Sequence, residues 1–130
     1  MNITKILRHK IVDNRGDFLK IMDGFEEGLN KSFGEIYFIS CYNKRSRAGH
    51  YHKIATEWFT VIGGSAELTL IDIKTKLRKN IILDYNLPST IKIEPNVAHL
   101  IQCNQSSSLQ MIAYSNIKYD AQDTYPYTFD

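Results

Sequence analysis

Two cysteines and three prolines are few for 130 residues, and no uninterrupted apolar run exceeds three or four residues. Cys41 and Cys103 are too few for a disulfide scaffold and read as buried thiols of a cytoplasmic chain. Apolar runs this short exclude a helical bilayer span. The first ten residues lack the apolar core of a secretory signal, so a soluble, cytoplasmic protein with no membrane contact is expected. Charge of one sign is also missing. Sixteen basic against fourteen acidic residues leave +2, too even for a basic face that would bind nucleic acid. What remains is globular in balance, 43% hydrophobic and 23% charged, at a length that makes one domain over 1–130.

Helical periodicity is nearly absent as well. Only residues 23–30 could form a helical turn, and two glycines there argue against it. The rest reads as short β-rich runs over 3–12, 17–22, 35–43, 56–62, 66–73, 77–83, 90–94, 98–103 and 109–116, bounded by Gly, Pro, Asn, Asp or Ser. Alternation is plain in two of them: Ile91 and Ile93 oppose Lys92 and Glu94, and Ala66, Leu68 and Leu70 oppose Glu67 and Thr69. Gly63-Gly64 and residues 84–89 are turn signals, and 105–108 reads as a polar hairpin tip. Strands at this spacing predict an all-β sandwich or barrel. Residues 118–130, with three tyrosines and a proline, are expected to lie across its outside.

Three of the four histidines fall at telling positions. His50 and His52 are two apart, so on an extended chain they share a face. Glu57 opens the next predicted strand, read as the hairpin partner, and His99 stands at the start of a later one, across the barrel. Three imidazoles and a carboxylate suit one divalent ion: zinc, nickel, manganese or iron. Taken singly, each residue has an ordinary explanation as a packed histidine or a solvated strand carboxylate. Their combination in an all-β chain favours the metal reading.

These residues resemble the two motifs of the cupins. His50-Tyr51-His52, Glu57 and Gly64 have the spacing of the first, with Lys44 where a glycine usually leads. Glu94-Pro95-Asn96-Val97-Ala98-His99 resembles the second, with Asn96 where glycine is usual and Asn104 one place from the usual closing asparagine. The resemblance implies a single-domain cupin, a double-stranded β-helix or jelly-roll barrel. Asp13-Asn14-Arg15-Gly16-Asp17-Phe18, Arg47-Ala48-Gly49-His50 and the tail from Tyr119 to Tyr125 are further similar to the dTDP-4-dehydrorhamnose 3,5-epimerases, the RmlC-like group. The dTDP-sugar 3,4-ketoisomerases share a His-x-His-Lys segment, matched by His50 to Lys53. The cupin domain of capsular-polysaccharide epimerase-reductases has His-Tyr-His, a following glutamate and the later histidine.

The resemblance implies an isomerase of a nucleotide-linked 4-keto-6-deoxyhexose, working without an organic cofactor. A C4 ketone acidifies the C3 and C5 hydrogens, and the base that removes one should titrate near neutrality. By resemblance His50 is that base, with His52 beside it, and Tyr114 is the candidate acid for the opposite face. Arg47 and Lys53 are candidates to hold the enolate or diphosphate, Arg15 to reach a neighbouring subunit's site, and Tyr37 to bind substrate. An imidazole lone pair cannot hold a metal and accept a proton at once. If His50 is a ligand, Tyr37, Tyr51, Tyr114, Lys53 or a metal-bound hydroxide is left as base. If it is not, Glu57 orients an imidazole in a relay. Two other readings stay open: a metal-dependent cupin oxygenase and a non-catalytic sugar-binding cupin. Relatives pair through N-terminal strands, and 3–12 has no evident local partner, so a homodimer is expected.

Overall fold

The computed structural model describes residues 1–14, 16–19, 21–22, 26–27, 29, 34–103 and 108–130, with nothing on the side chains of 16–18. Arg15, most of the 23–30 segment, Asn104 and most of the 105–108 tip therefore lie outside the described residues. The strands are β1 (Thr4–Leu7), β2 (Lys10–Asp13), β3 (Gly16–Leu19), β4 (Glu35–Cys41), β5 (Ser46–Tyr51), β6 (Glu57–Asp72), β7 (Arg78–Asp84), β8 (Ser89–Ile93), β9 (Val97–Cys103), β10 (Leu109–Ser115) and β11 (Tyr125–Pro126). Among the described residues the one helical element is a 3-10 turn, Ala121–Asp123.

β6 belongs to two sheets at once. Its first half pairs with β8 and β10, extending the order β1-β8-β6-β10-β4. Its second half pairs with β7 and β9, giving β7-β6-β9-β5-β11. All these pairings are antiparallel, and the two sheets close over one core in the expected jelly-roll cupin arrangement. Phe59, Val61, Leu68 and Leu70 of β6 meet Ile91, Ile101, Met111 and Leu83 there. Each such side chain contributes roughly 1.5–3 kcal/mol by leaving water.

Gly63-Gly64 is not the turn its sequence announces. The pair lies inside β6, where the strand passes from one sheet to the other and a bulge falls opposite Gln110 and Met111. Gly64 has φ +72°, and a Cβ there would sit 1.6 Å from the Ser108 carbonyl oxygen. Glycine is needed here for close approach and left-handed backbone, not to reverse the chain.

The expected 3–12 strand is two strands, and each finds its partner inside the chain. Thr4 faces Lys92 and Leu7 faces Ser89, while β2 pairs with β3. The unpaired N-terminal strand that motivated a dimer is thus already paired. β5 is missing from the runs expected on composition, although the histidine pair at its end was read as lying on an extended chain. The tail corrects another expectation: β11 extends the sheet edge at β5, with Tyr125 opposite Tyr51 and Pro126 opposite His50. Lys44 and Asn96, the two substitutions for glycine in the cupin motifs, have φ 63° and 65°. The left-handed turns are kept without glycine, at low cost for asparagine.

Candidate active site

One end of the barrel gathers the start of β4, the end of β5, the start of β6 and the first turn of β9. A β-bulge aims His50 into it. Ala48 faces Leu100, but the next matched pair is His50 with His99, leaving Gly49 over. Ala48 and Gly49 take φ 69° and 81° to absorb the extra residue. Without it the side-chain alternation set by Arg47, which lines the same cavity as His50, would turn His50 to the other face.

Two features of the expected layout change. Glu57 is not on the hairpin partner of the histidine strand, since β5 is flanked by β9 and β11. His99 is not across the barrel but on the neighbouring strand, directly opposite His50. The four residues still converge. Ligand nitrogens of His50, His52 and His99 lie within 4.8 Å of one another. Glu57 Oε1 lies 3.1 Å from His52 Nε2 and 3.5 Å from His99 Nε2. Its Oε2 accepts the hydroxyl proton of Tyr37.

The far side of each imidazole fixes what the near side offers. His52 Nδ1 stands 2.8 Å from the Asp123 carbonyl oxygen, and His99 Nδ1 stands 3.0 Å from that of Val97. A carbonyl only accepts, so both Nδ1 atoms carry hydrogen and both Nε2 atoms turn toward Glu57. His99 is 1% exposed, and burial holds its pKa below the ordinary histidine value against the pull of Glu57. A neutral His99 therefore sets a lone pair against a carboxylate oxygen. Glu57 Oε1 and His99 Nε2 are accordingly buried without a properly aligned hydrogen bond. Two buried acceptors facing each other suit a shared cationic partner, and the donor set fits a divalent ion.

Charges elsewhere in the cluster follow from burial and neighbours. Burial, then His99 and His52, push the His50 pKa down to about 4. Burial also works against a charged His52, but Glu57 and Asp123 outweigh it and raise its pKa. Burial would raise Glu57, yet His52, His99 and Tyr37 hold its carboxyl below the usual range. Burial and the Glu57 charge raise Tyr37 well above an ordinary phenol.

Two cavities meet at Tyr37, His50 and Glu57. The first, about 390 Å³, is bounded by Glu35 and by the tail residues Lys118, Tyr119, Asp120 and Asp123. The second, about 330 Å³, is bounded by Phe38, Arg47, Phe59, His99 and Ile101. Of the candidate residues, Tyr37, His50, His52, Glu57, His99 and Arg47 are brought together. Tyr114 is not: it tilts against the buried Trp58, ring centroids 5.7 Å apart, and lines neither cavity. Lys53 is drawn away, its Nζ 4.4 Å from the centre of the Tyr125 ring, and Tyr51 stacks on that ring at 5.2 Å. The tail's share of the wall went unread in the sequence; Asp123 was inside the quoted tail segment, but no spacing tied it to His52.

Residues 11–127 match the model of a family described as the polysaccharide biosynthesis C-terminal domain. No curated protein matches the chain in sequence. Among solved structures, a dTDP sugar isomerase from Desulfovibrio desulfuricans G20 superposes with a TM-score of 0.86 at 19% identity, covering 98% of this chain and 85% of that one. A 3,4-ketoisomerase from Helicobacter canadensis gives 0.78 at 22% identity, over 95% and 90%. A 3'-monoepimerase from Streptomyces bikiniensis, solved in complex with dTDP-quinovose, gives 0.84 at 11% identity, over 95% and 68%. These likenesses establish the shared fold.

Proposed function

The chain belongs to the polysaccharide biosynthesis C-terminal domain family, and from that premise we propose that it isomerises a nucleotide-linked 4-keto-6-deoxyhexose. The reaction is epimerisation at C3, or at C3 and C5, or exchange of the ketone between C3 and C4. The observation that carries this reading is the neutral His50 imidazole standing where two cavities join, beside Tyr37 and Glu57. His50 removes the proton next to the C4 ketone, and the electron pair moves onto the carbonyl oxygen as an enolate. A proton then returns, from solvent in the cavity to the opposite face in epimerisation, or from His50 to the neighbouring carbon in ketone exchange. Tyr37, held by Glu57, offers its hydroxyl oxygen to the sugar. Arg47 draws the diphosphate into the second cavity, since the first carries Glu35, Asp120 and Asp123.

His50, His52, Glu57 and His99 would together hold one divalent ion. Such an ion supplies Lewis-acid stabilisation of the enolate oxygen when bound. The His50 lone pair serves one task at a time, so metal content and turnover measured on the same sample separate the two roles. The enzyme works in the cytoplasm, a placement supported by its two buried free thiols. It works as a homodimer, supported by β4, which among the described residues pairs only with β10 and exposes Ile36 and Phe38 by 65% and 58%.

Proton NMR in deuterium oxide, with dTDP- and UDP-4-keto-6-deoxyhexoses, tests the reading. Deuterium should enter C3 or C5, and the product's configuration separates epimerase from ketoisomerase. No exchange with either nucleotide, in folded protein that holds metal, would replace this reading with a metal-dependent oxygenase. Tyr114→Phe should leave the exchange rate unchanged; a slowed rate would return Tyr114 to the mechanism.

A further inference from the structure

Residues 53–56, between His52 and the start of β6, belong to no strand, and their four successive amides are satisfied by side chains far along the chain. The buried carboxylate of Asp123, 3% exposed as a residue, accepts three of them: Lys53 N–H at 2.9 Å, Ile54 N–H at 3.1 Å and Ala55 N–H at 3.0 Å. Asn116 Oδ1 accepts the fourth, from Thr56 at 2.9 Å. The carbonyl of the same Asp123 takes His52 Nδ1–H. The His52 carbonyl, for its part, accepts Asn96 N–H at 2.7 Å.

Asp123 faces inward because it ends the 3-10 turn Ala121–Asp123. Asp120 caps that turn by accepting Gln122 N–H at 2.9 Å, and the Asp123 amide closes it on the Asp120 carbonyl. Downstream, β11 and the Tyr127 N–H bond to the Gly49 carbonyl at 3.0 Å fasten the tail to β5. One residue thus holds the loop through its carboxylate and the imidazole through its carbonyl.

We propose that Asp123 is a positioning residue of this site: by gripping the 53–55 loop and His52 Nδ1 together, it aims His52 Nε2 at Glu57. Removing the carboxylate frees three amides, lets the loop shift from the turn and parts His52 from its carbonyl partner. The His52 ring then loses both its fixed tautomer and its direction. The inference concerns the site assigned above, and its kinetic consequence rests on that reading. Its spectroscopic consequence does not.

The test compares wild type with Asp123→Ala and the isosteric Asp123→Asn, each as the whole chain. In ¹H–¹⁵N spectra, the His52 Nδ1–H signal should be lost or broadened in Asp123→Ala, while the His99 signal persists as a marker of intact fold. Zinc, titrated against a chromophoric chelator, should bind about 10- to 100-fold more weakly. If wild type turns over a nucleotide sugar, kcat should fall with little change in KM. Should Asp123→Ala fail to fold, Asp123→Asn carries the same comparison, since its amide group opposes one backbone N–H while keeping the shape. A folded variant with both Nδ1–H signals and zinc affinity unchanged overturns the proposal. Wild type inert toward nucleotide sugars, with the His52 signal still lost in the variants, overturns the functional reading and leaves this one standing.

Discussion

His50→Ala should lower deuterium exchange at C3 by about 10³-fold, the scale of a lost general base, while the unfolding free energy stays within about 1 kcal/mol. The two effects separate because of where the ring sits. His50 opens onto both cavities and meets His52 and His99 edge-on, with ring centroids 4.9 Å apart in each case. Truncation enlarges a space that already exists and, among the described residues, leaves no polar partner stranded. Burial and its two imidazole neighbours also keep the ring uncharged at neutral pH, so no ion pair is lost. Exchange measured by NMR and a denaturant midpoint, on one preparation, check both halves. A variant exchanging within tenfold of wild type would move the base to another residue.

Gly64→Ala should cost on the order of 3 kcal/mol, combining left-handed strain with a forced backbone shift. The new Cβ would meet the Ser108 oxygen at 1.6 Å, its carbon at 2.7 Å and Leu109 Cα at 3.2 Å. These are main-chain atoms of Ser108 and of Leu109, the first residue of β10, so no side chain can swing aside. Because β6 carries Glu57 at one end and the second sheet at the other, the strain is felt at the site too. Urea denaturation should show the midpoint falling with little change in slope. A loss below about 1 kcal/mol would mean that the two sheets do not depend on the bend at this residue.

The fold was legible where side-chain alternation is strong. The strands expected over 90–94, 98–103 and 109–116 appear within a residue or so as β8, β9 and β10. It was illegible where a distant partner decides the backbone. Ser46–Tyr51, with two basic or polar residues and a glycine before His50, has no strand pattern; β9 and β11 make it a strand. Gly63-Gly64 looks like a turn to any local reading, since nothing nearby records the approach of Ser108. The histidines and Glu57 stood out because three imidazoles and a carboxylate at that spacing form a recognisable motif, and the fold does bring the four side chains together. Which strands are neighbours is a matter of crossovers, so Glu57 and His99 were recognised while their places relative to β5 were misjudged. Tyr114 fell on the wrong face for a related reason. Alternation puts it opposite Ala113 and Ser115, but only the packed sheet shows that those two are the inward pair.

The extra residue in β5 makes the distance between Arg47 and His50 a matter of odd and even. Three positions separate them, and an unbroken strand would point them to opposite sides. Both line the second cavity because Gly49 is skipped by the ladder. A related chain with these residues two apart would achieve the same presentation with no bulge and no need for glycine. One with three apart but no residue tolerant of positive φ would turn its histidine to solvent while appearing to keep it. When chains of this kind are compared, counting the residues in that interval is therefore more informative than asking whether the histidine is present.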